Sequence, residues 1–171
     1  YKWDLYGIDI NKKSLSHAKR EVNAKLFSSS IQNINFPKEY FDCITCFDIL
    51  EHDKLFLSTI DRIHLLLKKD GLFVIQSPNY KSIMAILTGN NWDWWSIPDH
   101  VIHFTPSTLR KALEDNGFKI INIHTWEPVQ DFVGNIRGTL KKNLPELMNI
   151  NKIFSKISIP FLYLLWFIIW I

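Results

Sequence analysis

Residues 41–79 read FDCITCFDILEHDKLFLSTIDRIHLLLKKDGLFVIQSPN. Phe41 to Phe47 is a continuous, strongly apolar run, the mark of a strand buried on both faces. Leu55, Ile60, Ile63, Leu66 and Leu67 then recur at helical spacing and predict a helix over 55–67. Lys68-Lys69-Asp70-Gly71 reads as its end, with cations in the last turn and then a glycine stop. Leu72 to Gln76 is a second buried strand, closed by Ser77-Pro78-Asn79. Strand, helix and strand in that order make a βαβ unit, a parallel pair joined by a crossover.

The alternation extends both ways. Upstream, Trp3 to Ile10 reads as a strand ending at Asp9, Asn11 as a helix N-cap and Lys12 to Val22 as the helix. Ala24 to Ser28 is a short strand, followed by a polar loop through Gln32 and Asn33. Downstream, Tyr80 to Leu87 reads as a short helix and Thr88 to Phe104 as a long loop rich in Trp and His. Pro106 to Asn116 is a helix capped by Thr105, with Pro at its first position and Gly117 at its end. Phe118 to Trp126 alternates apolar and polar residues, the pattern of a half-exposed edge strand. The expectation is an α/β fold, a doubly wound, mostly parallel sheet with helices on both faces. A core over 1–126 would be followed, over 127–171, by a basic helical segment and an apolar tail. The first residue is Tyr1, inside what reads as a strand, so the start of the domain is expected to lie upstream.

With 171 residues, 47% hydrophobic and 14% aromatic, the chain can bury a sizeable core, and disorder is excluded. A net charge of +3 argues against a dedicated nucleic-acid binder. The positive charge gathers at Arg137, Lys141, Lys142, Lys152 and Lys156, just before Ile157 to Ile171, a stretch without a charged residue. Contact with a membrane through 157–171 is one reading, since Trp166 and Trp170 suit an interface; a core helix is another. Cys43 and Cys46 have C-x-x-C spacing but sit in a strand-like run. Redox pairs usually open a helix and zinc needs two more ligands, so they read as ordinary core thiols in a reducing cytosol. No signal peptide is evident.

In an open parallel sheet, ligands bind beyond the carboxyl ends of the strands. Asp9 follows the first strand, Ser28, Ser29 and Ser30 the second, Asp48, Glu51 and His52 the third, and Ser77, Pro78 and Asn79 the fourth. Polar groups thus gather at one edge, where a nucleotide-like cofactor is expected. An acidic residue at the end of an early strand can accept both ribose hydroxyls, and Asp9 has that position.

Four segments carry a family resemblance: YGIDINKKSLSHAKREV (6–22), FPKEYFDCITCFDILEH (36–52), LLLKKDGLFVIQSPN (65–79) and WSIPDHVIHFTPSTLRKALEDNGFKI (95–120). The first three resemble, in the right order, strands and helices of the Rossmann-like class I S-adenosylmethionine-dependent methyltransferases. The fourth is similar to a subgroup acting on oxygen in quinone biosynthesis. The resemblance implies S-adenosylmethionine as cofactor and a small-molecule methyl acceptor, with the first strand and its glycine-rich loop upstream of Tyr1. It implies that Asp9 holds the ribose hydroxyls and Ile10 packs on the adenine. Ser30 and Ile31 would lie by the adenine edge and face, though many members carry an acid in that loop. Phe47 and Asp48 would lie near the methionine part.

Asp48, Glu51 and His52 are spaced i, i+3 and i+4, so on one helical turn they share a face. Together they could hold a divalent cation that binds and acidifies a phenol or catechol oxygen. They could equally be a helix cap, a first-turn acid and a general base. His100 and His103, in DHVIHFT, could each take a proton near neutral pH, or His103 could lock the loop by a backbone hydrogen bond. Asn91-Trp92-Asp93-Trp94-Trp95 suggests an aromatic lid over an apolar substrate, with membrane contact or core packing as the other readings. A catalytically degenerate domain docking at a membrane remains an alternative to an enzyme, and a nicotinamide-dependent enzyme a more distant one.

Overall fold

Every strand that pairs does so in parallel, as the alternation of apolar runs and helical periods requires. In the computed structural model, which describes residues 3–143, β1 (Tyr6–Asp9) leads into α1 (Lys12–Glu21) and β2 (Lys25–Ser28). β3 (Phe41–Phe47), α2 (Phe56–Leu66) and β4 (Leu67–Gln76) follow. Then come α3 (Ile83–Thr88), α4 (Pro106–Asp115) and α5 (Val129–Asn143). β1 pairs with β2, from Tyr6 opposite Lys25 to Asp9 opposite Ser28. β3 pairs with β4, from Cys43 opposite Leu72 to Phe47 opposite Gln76. All four carboxyl ends are therefore followed by the polar residues singled out above.

An aromatic cluster ties the two pairs together. The Tyr6 ring meets Phe36, Tyr40 and Phe41 edge-on, with centroids 5.4, 5.8 and 5.4 Å away. Aromatic pairs favour this geometry, in which a positive ring edge meets a negative face. Arg62 adds a polar link, donating from Nη2 to the Ile34 carbonyl at 2.9 Å.

The helix ends follow local chemistry. Asn11 Oδ1 accepts from the backbone N–H groups of Lys13 and Ser14 and so caps α1. Thr105 and Thr108 form a reciprocal capping box on α4, with Pro106 at the first position. Gly117 ends α4 at φ +85°, and a Cβ there would lie 3.1 Å from the His64 ring.

Three details differ from the sequence reading. Lys68 to Gly71 does not close α2 but forms the first half of β4, where Lys68 pairs with Asp42 at 2.7 Å. The ladder shifts register between Phe41 and Cys43, and Asp70 takes φ +63°. That irregularity hides the strand from a period-two reading. Phe118 to Trp126 forms no strand. Phe118 and Ile120 turn into the core, which explains the alternation, and the Phe118 ring lies 5.4 Å from that of Phe73 in β4, but the rest of the segment borders an open cleft of about 1710 Å³. β3 is buried at Cys46 alone and leaves Cys43, Thr45 and Phe47 exposed. Only one face of the β3–β4 pair is covered by the cluster of Cys46, Leu50, Ile60, Phe104, Leu109 and Leu113. β3 pairs with no strand but β4 among the described residues.

Among the described residues, no helix is long and apolar enough to cross a membrane. The apolar stretch 157–171, read as a membrane contact, lies outside them.

Candidate functional site

The site begins where β1 ends. Asp9 Oδ1 accepts from the Asn11 backbone N–H at 2.7 Å, which fixes the carboxylate beside the capped start of α1. Its other oxygen has no hydrogen-bond partner among the described residues and can accept from a ligand. Ile10, next to it, is 78% exposed, an apolar platform at the sheet edge. Ser30 and Ile31 are half-buried in the turn after β2, where the Ser30 carbonyl accepts from the N–H groups of Asn33 and Ile34.

β3 ends in a sharp change of direction. Phe47 is 53% exposed. Asp48 adopts φ +51°, a left-handed conformation that Asp tolerates better than most residues. Its N–H donates to the Gln76 carbonyl at 3.0 Å, and its carboxylate accepts from Gln76 Nε2 at 3.1 Å. A short 3-10 turn, Leu50–His52, follows. Because Asp48 is left-handed and the next turn is 3-10, the i, i+3, i+4 face expected of an α-helical turn does not form. Asp48 stays with Gln76, apart from Glu51 and His52.

A different third residue joins that pair. The N–H groups of Val101 and Ile102 both donate to the Glu51 carbonyl, at 2.9 and 3.1 Å, and clasp the 99–102 segment against the turn. This brings His100 beside His52, with ring centroids 4.6 Å apart. Glu51, His52 and His100 each offer a donor atom, and these atoms lie within 4.8 Å of one another. Sequence reasoning named all three residues but assigned His100 to proton transfer alone. Nothing in local spacing signals that residues 99–102 fold back on Glu51.

The remaining candidates lie in the loop between α3 and α4. His103 Nε2 donates to the Trp95 carbonyl at 3.2 Å and locks the loop, one of its two expected roles. Trp92 is 4% exposed and packs with Met84 and Ala85, so this part of the expected lid is core. Trp94 lines the cleft and stacks over His100.

The two thiols are not alike. Residues three apart on a strand face opposite sides, and the structure leaves Cys43 exposed and Cys46 buried, both unpaired. Burial, reinforced by the carboxylates of Glu51, Asp53 and Asp48, pushes the Cys46 thiol up to about 11. The thiolate is the nucleophile. Labelling native protein with a maleimide at pH 8 is therefore expected to modify one thiol quickly. Cys43→Ser should remove that fast phase and Cys46→Ser should leave it; two fast thiols would contradict the burial of Cys46.

The fold has solved counterparts. The YcgJ protein of Bacillus subtilis superposes with a TM-score of 0.60 at 20% identity, covering 92% of this chain and 70% of that one. A candidate methyltransferase of Bacillus halodurans gives 0.59 at 17% identity, covering 80% and 62%. An S-adenosylmethionine-dependent methyltransferase of Mesorhizobium loti gives 0.57 at 15%, covering 81% and 74%. The chain thus spans between three-fifths and three-quarters of the length of these relatives. No curated protein shows significant similarity to the sequence. The family described as methyltransferase domain matches residues 1–123, and the chain belongs to it.

Proposed function

We propose that the protein transfers a methyl group from S-adenosylmethionine to a small molecule, at an oxygen of the phenol or catechol kind. The observation that carries this reading is Asp9. In a chain of the methyltransferase-domain family, it stands at the carboxyl end of β1 with one carboxylate oxygen free beside the exposed Ile10. A carboxylate suits the two ribose hydroxyls, and an apolar side chain suits the flat adenine face. When bound, S-adenosylmethionine supplies an activated methyl group on a sulfonium. Asp9 and Ile10 would hold its nucleoside end, with Ser30 and Ile31 beside the adenine and Phe47 and Asp48 beside the methionine end. Methyl transfer then needs alignment of the acceptor and loss of its proton. Glu51, His52 and His100 gather on the turn that follows Asp48 and on the loop that clasps it, and could take that proton.

Calorimetric titration of the full-length protein with S-adenosylmethionine and, separately, with NADH tests this. Micromolar binding of the methyl donor, without comparable binding of NADH, is expected. A folded, full-length protein that ignores the methyl donor would sink the proposal.

A further inference from the structure

We infer that Thr59 is a positioning residue, which ties the turn carrying Glu51 and His52 to the loop after β2 through two directed hydrogen bonds. Thr59 stands on α2 and is 5% exposed. Its Oγ1 donates to Asp53 Oδ2 at 2.5 Å and accepts from Gln32 Nε2 at 2.6 Å. The direction of the chain follows from its acid end. A carboxylate only accepts, so the one hydroxyl proton of Thr59 goes to Asp53, and the Thr59 oxygen receives the Gln32 amide N–H. Bonds to an anionic acceptor are short and roughly twice as strong as neutral ones. Asp53 sits at the end of the turn. Its N–H donates to the Leu50 carbonyl at 3.2 Å, which closes Leu50–His52, and its Oδ1 accepts from the Leu55 N–H at 2.8 Å. One residue therefore fixes both the turn and the entry into α2.

At its other end the chain reaches a loop that is itself closed. The Ser30 carbonyl accepts from the N–H groups of Asn33 and Ile34, both at 3.2 Å, so Gln32 lies inside one tight turn with Ser30 and Ile31. Arg62, about one helical turn after Thr59, makes a second bridge by donating to the Ile34 carbonyl. Both bridges start on α2 and end on this loop. A ligand seated on Ser30 and Ile31 thus bears on Gln32, and through Thr59 and Asp53 on Glu51 and His52. Chains of hydrogen bonds polarise one another, so losing one link weakens the next. The coupling is reciprocal: what steadies the loop steadies the turn, and the converse. That the loop's ligand is the adenine end of the methyl donor rests on the methyl-transfer reading. The tie between loop and turn does not.

Amide hydrogen exchange of the full-length protein, read by mass spectrometry, tests the tie with and without S-adenosylhomocysteine, the demethylated form of the donor. In ligand-free protein, Gln32→Ala and Thr59→Val should each speed exchange of the 50–53 amides by about 10-fold, within the usual range of such couplings. The amides of β4 should keep their rates, which a loss of overall stability would not allow. Thr59→Ser retains the hydroxyl and should retain the wild-type rates. Gln32 is exposed, so its variant decides the matter even where Thr59→Val fails to fold. In wild-type protein the ligand should slow exchange at 29–34 and at 50–53 together; in Thr59→Val it should slow 29–34 alone. Unaltered exchange at 50–53 in both Gln32→Ala and Thr59→Val overturns the inference, as does a rise of the same size throughout β4. A ligand that steadies 29–34 alone in wild-type protein overturns the coupling. Absence of ligand binding sinks the proposed activity, and the ligand-free comparison still decides the tie.

Discussion

Asp9→Ala is expected to weaken binding of S-adenosylmethionine to the full-length protein by about 100-fold, or ~2.7 kcal/mol. Each hydrogen bond from a neutral donor to a carboxylate contributes about 1.5–3 kcal/mol when buried from water. Two ribose hydroxyls would exceed the stated loss, but water replaces part of the lost interaction in the variant. Asp9 has a second duty, because its Oδ1 also accepts from the Asn11 N–H. Alanine removes that bond too, at about 1 kcal/mol of stability, so folding is checked by thermal unfolding. Asp9→Asn separates the two duties. Its amide oxygen can still receive the Asn11 N–H, whereas its NH₂ cannot accept from a ribose hydroxyl. It should therefore restore most of the stability and little of the affinity. Wild-type affinity in both variants would remove Asp9 from the binding site.

What could be read in the sequence divides by the range of the interaction involved. Asn11, Thr105, Pro106 and Gly117 mark helix ends through contacts within four residues, and each occupies its expected place. β3 was legible to the residue, because Phe41 to Phe47 is, apart from Asp42, a run of apolar and strand-favouring side chains. β4 was legible only from Leu72 onward, since its first half contains Lys68, Lys69 and Asp70 at a register shift. The site was half legible. Asp9, Ser30 and Asp48 follow strands, so their place at the carboxyl edge follows from topology alone. The partnership of Glu51 and His52 with His100 does not, because it depends on two backbone hydrogen bonds spanning about fifty residues of chain. The Trp-rich loop was misread in part for the same reason. Trp92 is held under α5, where Asn135 Oδ1 accepts from the Asp93 N–H at 2.9 Å, and no local pattern announces that contact.

Leu50→Ala should produce the larger loss of stability, about 2–5 kcal/mol. Leu50 is fully buried, at 0% exposure, and packs in one cluster with Cys46, Ile60, Phe104, Leu109 and Leu113. Truncation removes apolar burial and leaves a cavity that α2 and α4 cannot close without moving. Urea unfolding checks this: the midpoint should fall with the slope unchanged. Leu57, on α2 and half-exposed, should cost under about 1 kcal/mol when changed to alanine. Leu50→Met keeps most of the volume and should cost less than about 1.5 kcal/mol. The position also bears on the site. Leu50 opens the 3-10 turn that presents Glu51 and His52, and its side chain is the turn's anchor in the core. If that anchor orients the turn, Leu50→Ala should slow the proposed methyl transfer under conditions where the protein is still folded, while Leu57→Ala should not. Unchanged activity in folded Leu50→Ala would instead assign the positioning to the backbone clasp from Val101 and Ile102. Those two bonds hold Glu51 by its carbonyl and do not depend on the side chain beside it.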